Sequence, residues 1–295
     1  MKQQKTIPDV SIIIISYNTR ELLRACLASI VQAHGKSDSW EVIVVDNGSS
    51  DGSQEIVESR KSKVKSLKLI RNTKNLGFAA ANNQGIRVSQ GRYVLLLNSD
   101  TEVVPGVVRQ LTEYMDVHHD VGAMTARVNL SDGSMDPACH RGFPTPWAAF
   151  TYFSGLERLF PVTRVFGQYH QGYKPLRKAH DVDCISGAFF LIRRSVIDQI
   201  GLLDENFFMY GEDIDWCYRI RGSGQRIVFY PDVSIVHKKH QSGLGHADYH
   251  TRSQTKKYFY DAMRLFYTKH YRHRYSLFVN FLVLLGIRIA CHFRT

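Results

Sequence analysis

Cysteine is scarce and lacks any paired pattern: Cys26, Cys139, Cys184, Cys217 and Cys291 make five, an odd number with no Cys-x-x-Cys pair. That spacing excludes a disulfide framework and a cysteine zinc site, and it reads as free thiols in a reducing compartment. The first residues are also not expected to act as a secretory leader. The polar start MKQQKTIPD runs straight into the short apolar stretch Val10–Ile15, with no long apolar segment and no small-residue cleavage site. The expected location is therefore cytoplasmic. No apolar run reaches the roughly 20 residues of a membrane-spanning helix; the best candidate, Leu277–Phe293, is interrupted by Asn280, Arg288 and His292. The chain has no GxxxxGK[ST] phosphate loop, no GxGxxG fingerprint, no internal repeat and no low-complexity tract.

What is present is globular material with a basic bias. A chain of 295 residues, 44% hydrophobic and 22% charged, fits one large α/β domain or one domain with a small appendage. Lys and Arg number 38 against 27 Asp and Glu, a net +11. That field favours anionic partners: nucleotides, nucleic acid or an acidic membrane surface.

Strand and helix signals alternate along the first 130 residues. Val10–Ile15, Glu41–Asp46, Leu67–Arg71, Tyr93–Asn98 and Val121–Val128 read as strands, several of them continuous apolar runs suited to burial on both faces. Between them, helices are expected from Asn18 to Gln32, over Ser53–Ser59, over Gly77–Val88 and over Val104–His118, with Asn18 and Glu21 as a capping box and Asp51 as a cap. Strands joined by helical crossovers imply a mostly parallel sheet. Leu130–His180 has no clean period and reads as irregular substrate-facing structure or an inserted subdomain. Val182–Ile192 then reads as strand, Glu212–Ile220 as helix and Arg226–Tyr230 as strand.

Two strand ends carry chemistry. Asp46 closes one strand, and Asn98-Ser99-Asp100 closes another. Ligands of open α/β sheets gather beyond the carboxyl ends of strands, so Asp46 and Asp100 are expected to share one crevice. A carboxylate at Asp46 can accept from a pyrimidine N3–H or a ribose hydroxyl. Asp215 stands four before Arg219, a spacing for an architectural ion pair.

Ser16-Tyr17-Asn18, the Asp46–Ser53 segment, Asn75-Leu76-Gly77-Phe78 with Asn82-Asn83, Asn98-Ser99-Asp100 and Gly211-Glu212-Asp213-Ile214-Asp215 stand in a characteristic order. Over about Val10 to His237 the chain resembles glycosyltransferase family 2, of the GT-A fold, and within it the bacterial rhamnosyltransferase-like branch. The resemblance implies an α/β Rossmann-like central sheet flanked by helices over residues 1–240. Its donor half is about 1–130 and its acceptor and catalytic half about 131–240, followed by a helical tail over 241–295. It implies inverting transfer of a sugar, L-rhamnose from dTDP-L-rhamnose, to a hydroxyl of a lipid-linked or polysaccharide acceptor such as an O-antigen precursor. UDP donors carrying N-acetylglucosamine, galactose or galactofuranose stay open.

Residue by residue, the resemblance puts Ser16, Asn18, Asp46, Gly77, Asn82, Asn98 and Asp100 around the donor. Asn98 departs from the family's Asp-x-Asp pattern, so Asp100 is the expected ligand of a divalent Mg or Mn ion, with His237 as a second ligand. Asp213 is the expected base that takes the acceptor proton, and Glu212 orients the acceptor. Lys238, Lys239 and His240 add charge near phosphate or form a solvated loop. Trp147, Trp216 and the aromatics of Tyr152–Phe160 are core by default, with acceptor stacking as the alternative.

Basic residues of Arg264–Arg274 (Arg264, Lys269, His270, Arg272, His273 and Arg274) adjoin the apolar Leu277–Phe293 segment. That pairing suits an interfacial anchor on an anionic leaflet, near a polyprenyl-diphosphate-linked acceptor. The alternative is a helix packed on its own domain or on a second copy, a homodimer. No Gln-x-x-Arg-Trp motif marks a processive synthase. A non-catalytic basic nucleotide- or nucleic-acid-binding protein would also explain the charge. However, no recognised nucleic-acid module is present, and no nucleic-acid partner is expected.

Overall fold

The computed structural model describes residues 7–35, 38–61, 66–239 and 249–293. Four strands build the first half of one sheet: β1 (Val10–Ser16), β2 (Trp40–Asp46), β3 (Leu67–Arg71) and β4 (Tyr93–Asn98). They lie in the order β3-β2-β1-β4, all parallel. The crossovers are α1 (Arg20–Ala33), α2 (Ser53–Arg60) and α3 (Phe78–Val88). Val10–Ile14 of β1 and the run EVIVV in β2 are buried throughout, which is why they show no regular polar alternation.

The sheet then turns mixed. After the two-residue β5 (Thr101–Glu102) and α4 (Val107–Val117) come β6 (Val121–Leu130), α5 (Pro146–Phe153), α6 (Leu156–Leu159) and β7 (His180–Asp181). The chain continues with β8 (Phe189–Arg193), α7 (Arg194–Ile200), α8 (Glu212–Gly222) and β9 (Arg226–His237). Strand β8 runs antiparallel between β4 and β6, while β9 pairs parallel with β6 and antiparallel with β5 and β7. The parallel expectation thus holds for the first half, and the second half adds reversed strands. Of Val182–Ile192 only the end is strand, and β9 runs seven residues past the expected Tyr230.

Helix α1 starts later than expected. Asn18 and Glu21 form no capping box: Thr19 is the N-cap, without a side-chain bond. Asn18 takes a positive φ of 52° instead, and its Oδ1 accepts from the Ser50 amide at 2.9 Å. The loop after β2 claims the side chain that a cap would have used. The N-cap of α2 is Gly52, one place after the expected Asp51; Asp51 accepts from the amides of Ser53 and Arg20 at 3.0 and 2.8 Å, which ties the starts of α2 and α1 together.

Helices α9 (Tyr249–His270) and α10 (Leu277–Phe293) end the chain. Phe207, Ala262, Phe266, Tyr267 and Tyr271 form a second apolar cluster with Ile214 and Tyr218 of α8. Lys269 and His270, expected to face a leaflet, pair instead with the fully buried Asp215 at 2.7 Å each. Asp215 also takes the expected bridge from Arg219 at 2.9 Å. In α10, Asn280 is the inward residue, accepting from Tyr267 Oη at 2.6 Å and donating to the Arg272 carbonyl at 2.9 Å. Leu277, Phe278, Phe281, Leu282, Leu285 and Ile289 are exposed. Among the described residues no helix is long and apolar enough to cross a membrane. All five cysteines are free, and Cys291 alone of them is not buried.

Candidate active site

The parallel register aligns Ser16 with Asp46, and Ile15 with Asn98, so β1, β2 and β4 deliver their last residues to one edge. Ser16 is buried, and its hydroxyl joins a chain through Thr19 to Ser99, at 3.0 and 2.9 Å. That chain fixes the loop before Asp100. Asp46 is 1% exposed. Its Oδ1 accepts from the Ser49 amide at 3.0 Å and from Gln54 Nε2 at 2.8 Å, whereas its Oδ2 is buried with no hydrogen-bond partner among the described residues. A buried carboxylate oxygen left in this state lacks stabilisation that a ligand N–H or O–H would supply.

The Asn-Leu-Gly-Phe segment is anchored by Asn47, which donates to Asn75 Oδ1 and accepts from the Leu76 amide at 2.9 and 3.1 Å. Gly77 sits at φ +88°, where a Cβ would stand 2.6 Å from the Phe208 carbonyl. Its requirement for glycine is thus explained by packing against the Phe208 loop. Asn82, expected at the donor, is 1% exposed, and its side-chain nitrogen donates to the Phe78 carbonyl one turn back at 2.9 Å.

Pairing of β5 with β9 sets Thr101 opposite His237, and this puts the imidazole beside Asp100. His237 Nε2 lies 3.2 Å from Asp100 Oδ1, and His237 Nδ1 lies 3.1 Å from Asp136 Oδ2. Burial opposes a charge on this ring, yet the bonds to Asp100 and Asp136 carry its pKa up to about 9. Asp136 also accepts from Lys239 at 3.0 Å. Burial would raise its pKa, but the bond from His237 and its other contacts hold the carboxyl well below the usual range. Lys238 turns away to Glu102. His240 lies outside the described residues.

No group of three His, Cys, Asp or Glu suited to a metal occurs among the described residues. The pair Asp100 and His237 nevertheless fits a divalent ion of the kind that takes one or two protein ligands and completes its shell with substrate phosphate and water. Asp136 behind His237 gives the carboxylate–histidine arrangement that orients a metal-binding imidazole.

The acidic helix start lies across the same region. Gly211, at φ +81°, leads into α8. Asp213 accepts from Arg141 Nη2 at 2.8 Å and from the Ile214 amide at 2.8 Å. Arg141 is itself largely buried and donates to the Ala138 carbonyl at 2.9 Å. Glu212 is buried, with no hydrogen-bond partner for Oε2 among the described residues. Burial, reinforced by the Asp213 charge, pushes its carboxyl up to about 8. A carboxyl that keeps its proton can donate a hydrogen bond where a carboxylate can only accept.

Asp136 and Arg141 are the two residues that sequence reasoning missed. They flank a short 3-10 turn, Pro137–Cys139, so one segment supports both His237 and Asp213. The available signal was Asp136-Pro137, a cap followed by a first-turn proline.

Solved structures share this fold. S. aureus TarS 1–349 in complex with UDP-GlcNAc superposes over 97% of this chain and 73% of its own, with a TM-score of 0.61 at 18% identity. GalNAc-T7 with UDP, GalNAc and Mn2+ gives 0.60 over 79% of this chain and 44% of its own, at 16% identity. The fold is that of the GT-A glycosyltransferases.

Sequence comparison narrows the class. Residues 11–201 match glycosyl transferase family 2, and the chain belongs to that family and is a glycosyltransferase. Among similar proteins, a low-salt glycan biosynthesis hexosyltransferase, Agl10, of Haloferax volcanii is 30% identical over 80% of this chain and 69% of its own. An N-acetylglucosaminyl-diphospho-decaprenol L-rhamnosyltransferase of Mycobacterium tuberculosis is 27% identical over 79% and 77%. Transfer with inversion and use of a divalent metal are typical of this family and fold.

Proposed function

We propose that the chain moves L-rhamnose from dTDP-L-rhamnose to a hydroxyl of a polyprenyl-diphosphate-linked glycan, with inversion, at the cytoplasmic face of the cell membrane. The observation that carries the donor reading is the unpartnered Oδ2 of Asp46 at the carboxyl edge of β2, which matches a pyrimidine N3–H. The mycobacterial rhamnosyltransferase supports the sugar and the lipid-linked acceptor. A UDP-sugar donor is the second reading, favoured by the nucleotides in the TarS and GalNAc-T7 structures.

Asp213 takes the proton from the acceptor hydroxyl, its oxygen attacks the anomeric carbon, and the bond from that carbon to the diphosphate breaks. Arg141 holds the Asp213 carboxylate by its Oδ2 and so fixes the direction from which the base approaches. Glu212, protonated below about pH 8, donates a hydrogen bond that orients the acceptor. Mg2+ or Mn2+ would be held by Asp100 and His237, where it would offset charge on the departing diphosphate. Asn98 and Asn18 lie at the same edge as contacts to the donor's sugar and ribose. The outward apolar face of α10 and exposed Arg264, Arg272, His273 and Arg274 seat the enzyme on the leaflet that carries its acceptor. No nucleic acid takes part, and a homodimer through α10 is the alternative use of that face.

The test is a donor screen: purified protein with dTDP-rhamnose and common UDP and GDP sugars, in Mg2+, Mn2+ or EDTA, read by thermal shift. Stabilisation by dTDP-rhamnose that EDTA removes is the expected result. Stabilisation by a UDP-sugar alone replaces the first reading with the second.

A further inference from the structure

The stretch between β6 and β7 contributes Asp136 and Arg141 to the site and then leaves it. Beyond them, α5, α6 and the turns that follow present an unusual surface. Trp147, Phe150, Leu159, Phe160, Val162 and Val165 are exposed, Leu159 and Val162 by 71% and 70%. This is a built platform. Trp147 donates its indole N–H to the Val165 carbonyl at 2.7 Å, which clamps α5 to the loop after α6 and leaves an apolar ring outward. Trp147 stacks near Phe150 and Phe166 at 5.6 and 6.2 Å, and Phe160 lies 5.5 Å from Phe166, so the rings form one row.

The segment itself carries an excess of cations. Arg158, Arg164, Arg177 and Lys178 are exposed, and Arg164 lies 5.8 Å from the Tyr173 ring. The sole carboxylate from His140 to His180 is Glu157, which is buried and accepts from the His170 amide at 2.8 Å. Large exposed apolar groups in a segment whose exposed charges are all cationic match the boundary between anionic headgroups and acyl chains. A second copy of the chain fits poorly, because a self-complementary contact would set these cations against one another.

We infer that the α5–α6 insertion is a docking surface for an anionic lipid leaflet, separate from the C-terminal helix. The inference deepens the membrane reading given above and does not depend on the sugar transferred. The two surfaces spring from one corner. Phe143, just ahead of α5, lies 5.0 Å from Tyr218, and Tyr218 meets Tyr271 at 5.8 Å and Arg274 at 5.5 Å, at the head of α10.

The experiment is co-sedimentation of the full chain with vesicles of phosphatidylcholine, alone or mixed with phosphatidylglycerol. Wild type is expected to bind the mixed vesicles in a salt-sensitive way. The double variant Leu159→Glu, Val162→Glu should lose at least about tenfold in partitioning, and Arg158→Gln, Arg164→Gln about fivefold per cation. Both should keep the wild-type thermal shift with nucleotide-sugar, which shows that the fold and donor site are intact. A tail variant, Phe278→Glu with Phe281→Glu, should retain part of the binding. Unchanged partitioning of the Leu159/Val162 variant overturns the inference; if the tail variant alone abolishes binding, the tail reading survives by itself. Absence of wild-type binding, with a dimer that the Leu159/Val162 variant dissolves, overturns it in favour of self-association.

Discussion

Asp46→Asn is the sharpest probe of how the nucleotide is read. In the free enzyme the Asp46 carboxylate is nearly dry, with one oxygen doubly occupied and the other without a partner. A pyrimidine N3–H delivered to Oδ2 makes a hydrogen bond to a charged acceptor, worth about 1.5–3 kcal/mol. At about 1.4 kcal/mol per decade, its loss weakens donor binding roughly 10- to 150-fold. Asparagine can still accept from Ser49 with one oxygen, but its amide then meets N3–H donor to donor. The variant removes a buried charge, so the unliganded protein should melt no lower than wild type. Calorimetric titration with dTDP and UDP, each compared with its N3-methyl analogue, completes a double cycle. Wild type should discriminate against methylation and the variant should not. If the N3-methyl nucleotide binds wild type as well as its parent, Asp46 does not read the base, even if the variant binds weakly.

Three other perturbations address the remaining machinery. Asp213→Asn should abolish transfer while sparing the donor-induced thermal shift; near-normal turnover would remove Asp213 as the base. Asp136→Asn should weaken Mn2+ affinity roughly 10- to 100-fold, the usual effect of losing a residue that orients a metal-binding histidine, as read by direct metal titration. An affinity equal to wild type would leave His237 positioned by β9 alone. Glu212→Gln tests the buried carboxyl. Its folded pKa of about 8 lies above the ordinary 4.5, so between these values the folded chain holds a proton that the unfolded chain has lost. Stability from this group is complete below about pH 4.5 and falls as pH rises toward 8. Melting temperatures of variant and wild type should therefore diverge upward across that window in the variant's favour, and a constant difference would contradict it.

The first half of the sheet was legible in the sequence because strands buried on both faces write themselves as unbroken apolar runs. SIIII, EVIVV and YVLLL admit few other readings, and their register carries Asp46 and Asp100 to one edge without further information. The second half was not. His237 meets Asp100 only because two-residue β5 pairs with the far end of β9, a contact between positions 101 and 237 that no local period encodes. Asp136 and Arg141 sit in a stretch ruled by turns, where a capping aspartate and a charged surface arginine look alike until burial distinguishes them. Lys269 and His270 misled for a related reason. A basic run beside an apolar helix has the composition of an anchor whichever way its side chains turn, and the buried Asp215 turned two of them inward.

That inward turn gives the last helices a second importance. Asp215 belongs to the helix whose first turn carries Glu212 and Asp213, and it pairs with Arg219, Lys269 and His270, the last two from α9. A chain cut at residue 248 would keep every residue proposed to touch donor or metal. It would nonetheless strand a buried carboxylate with Arg219 alone, and breaking such buried pairs costs about 3–5 kcal/mol. Trimming the tail to improve solubility would thus loosen the footing of the acidic helix, and low activity in the shortened protein would be mistaken for loss of membrane attachment. Point changes on the outer face of α10 separate the two effects, because they leave the keystone under α8 in place.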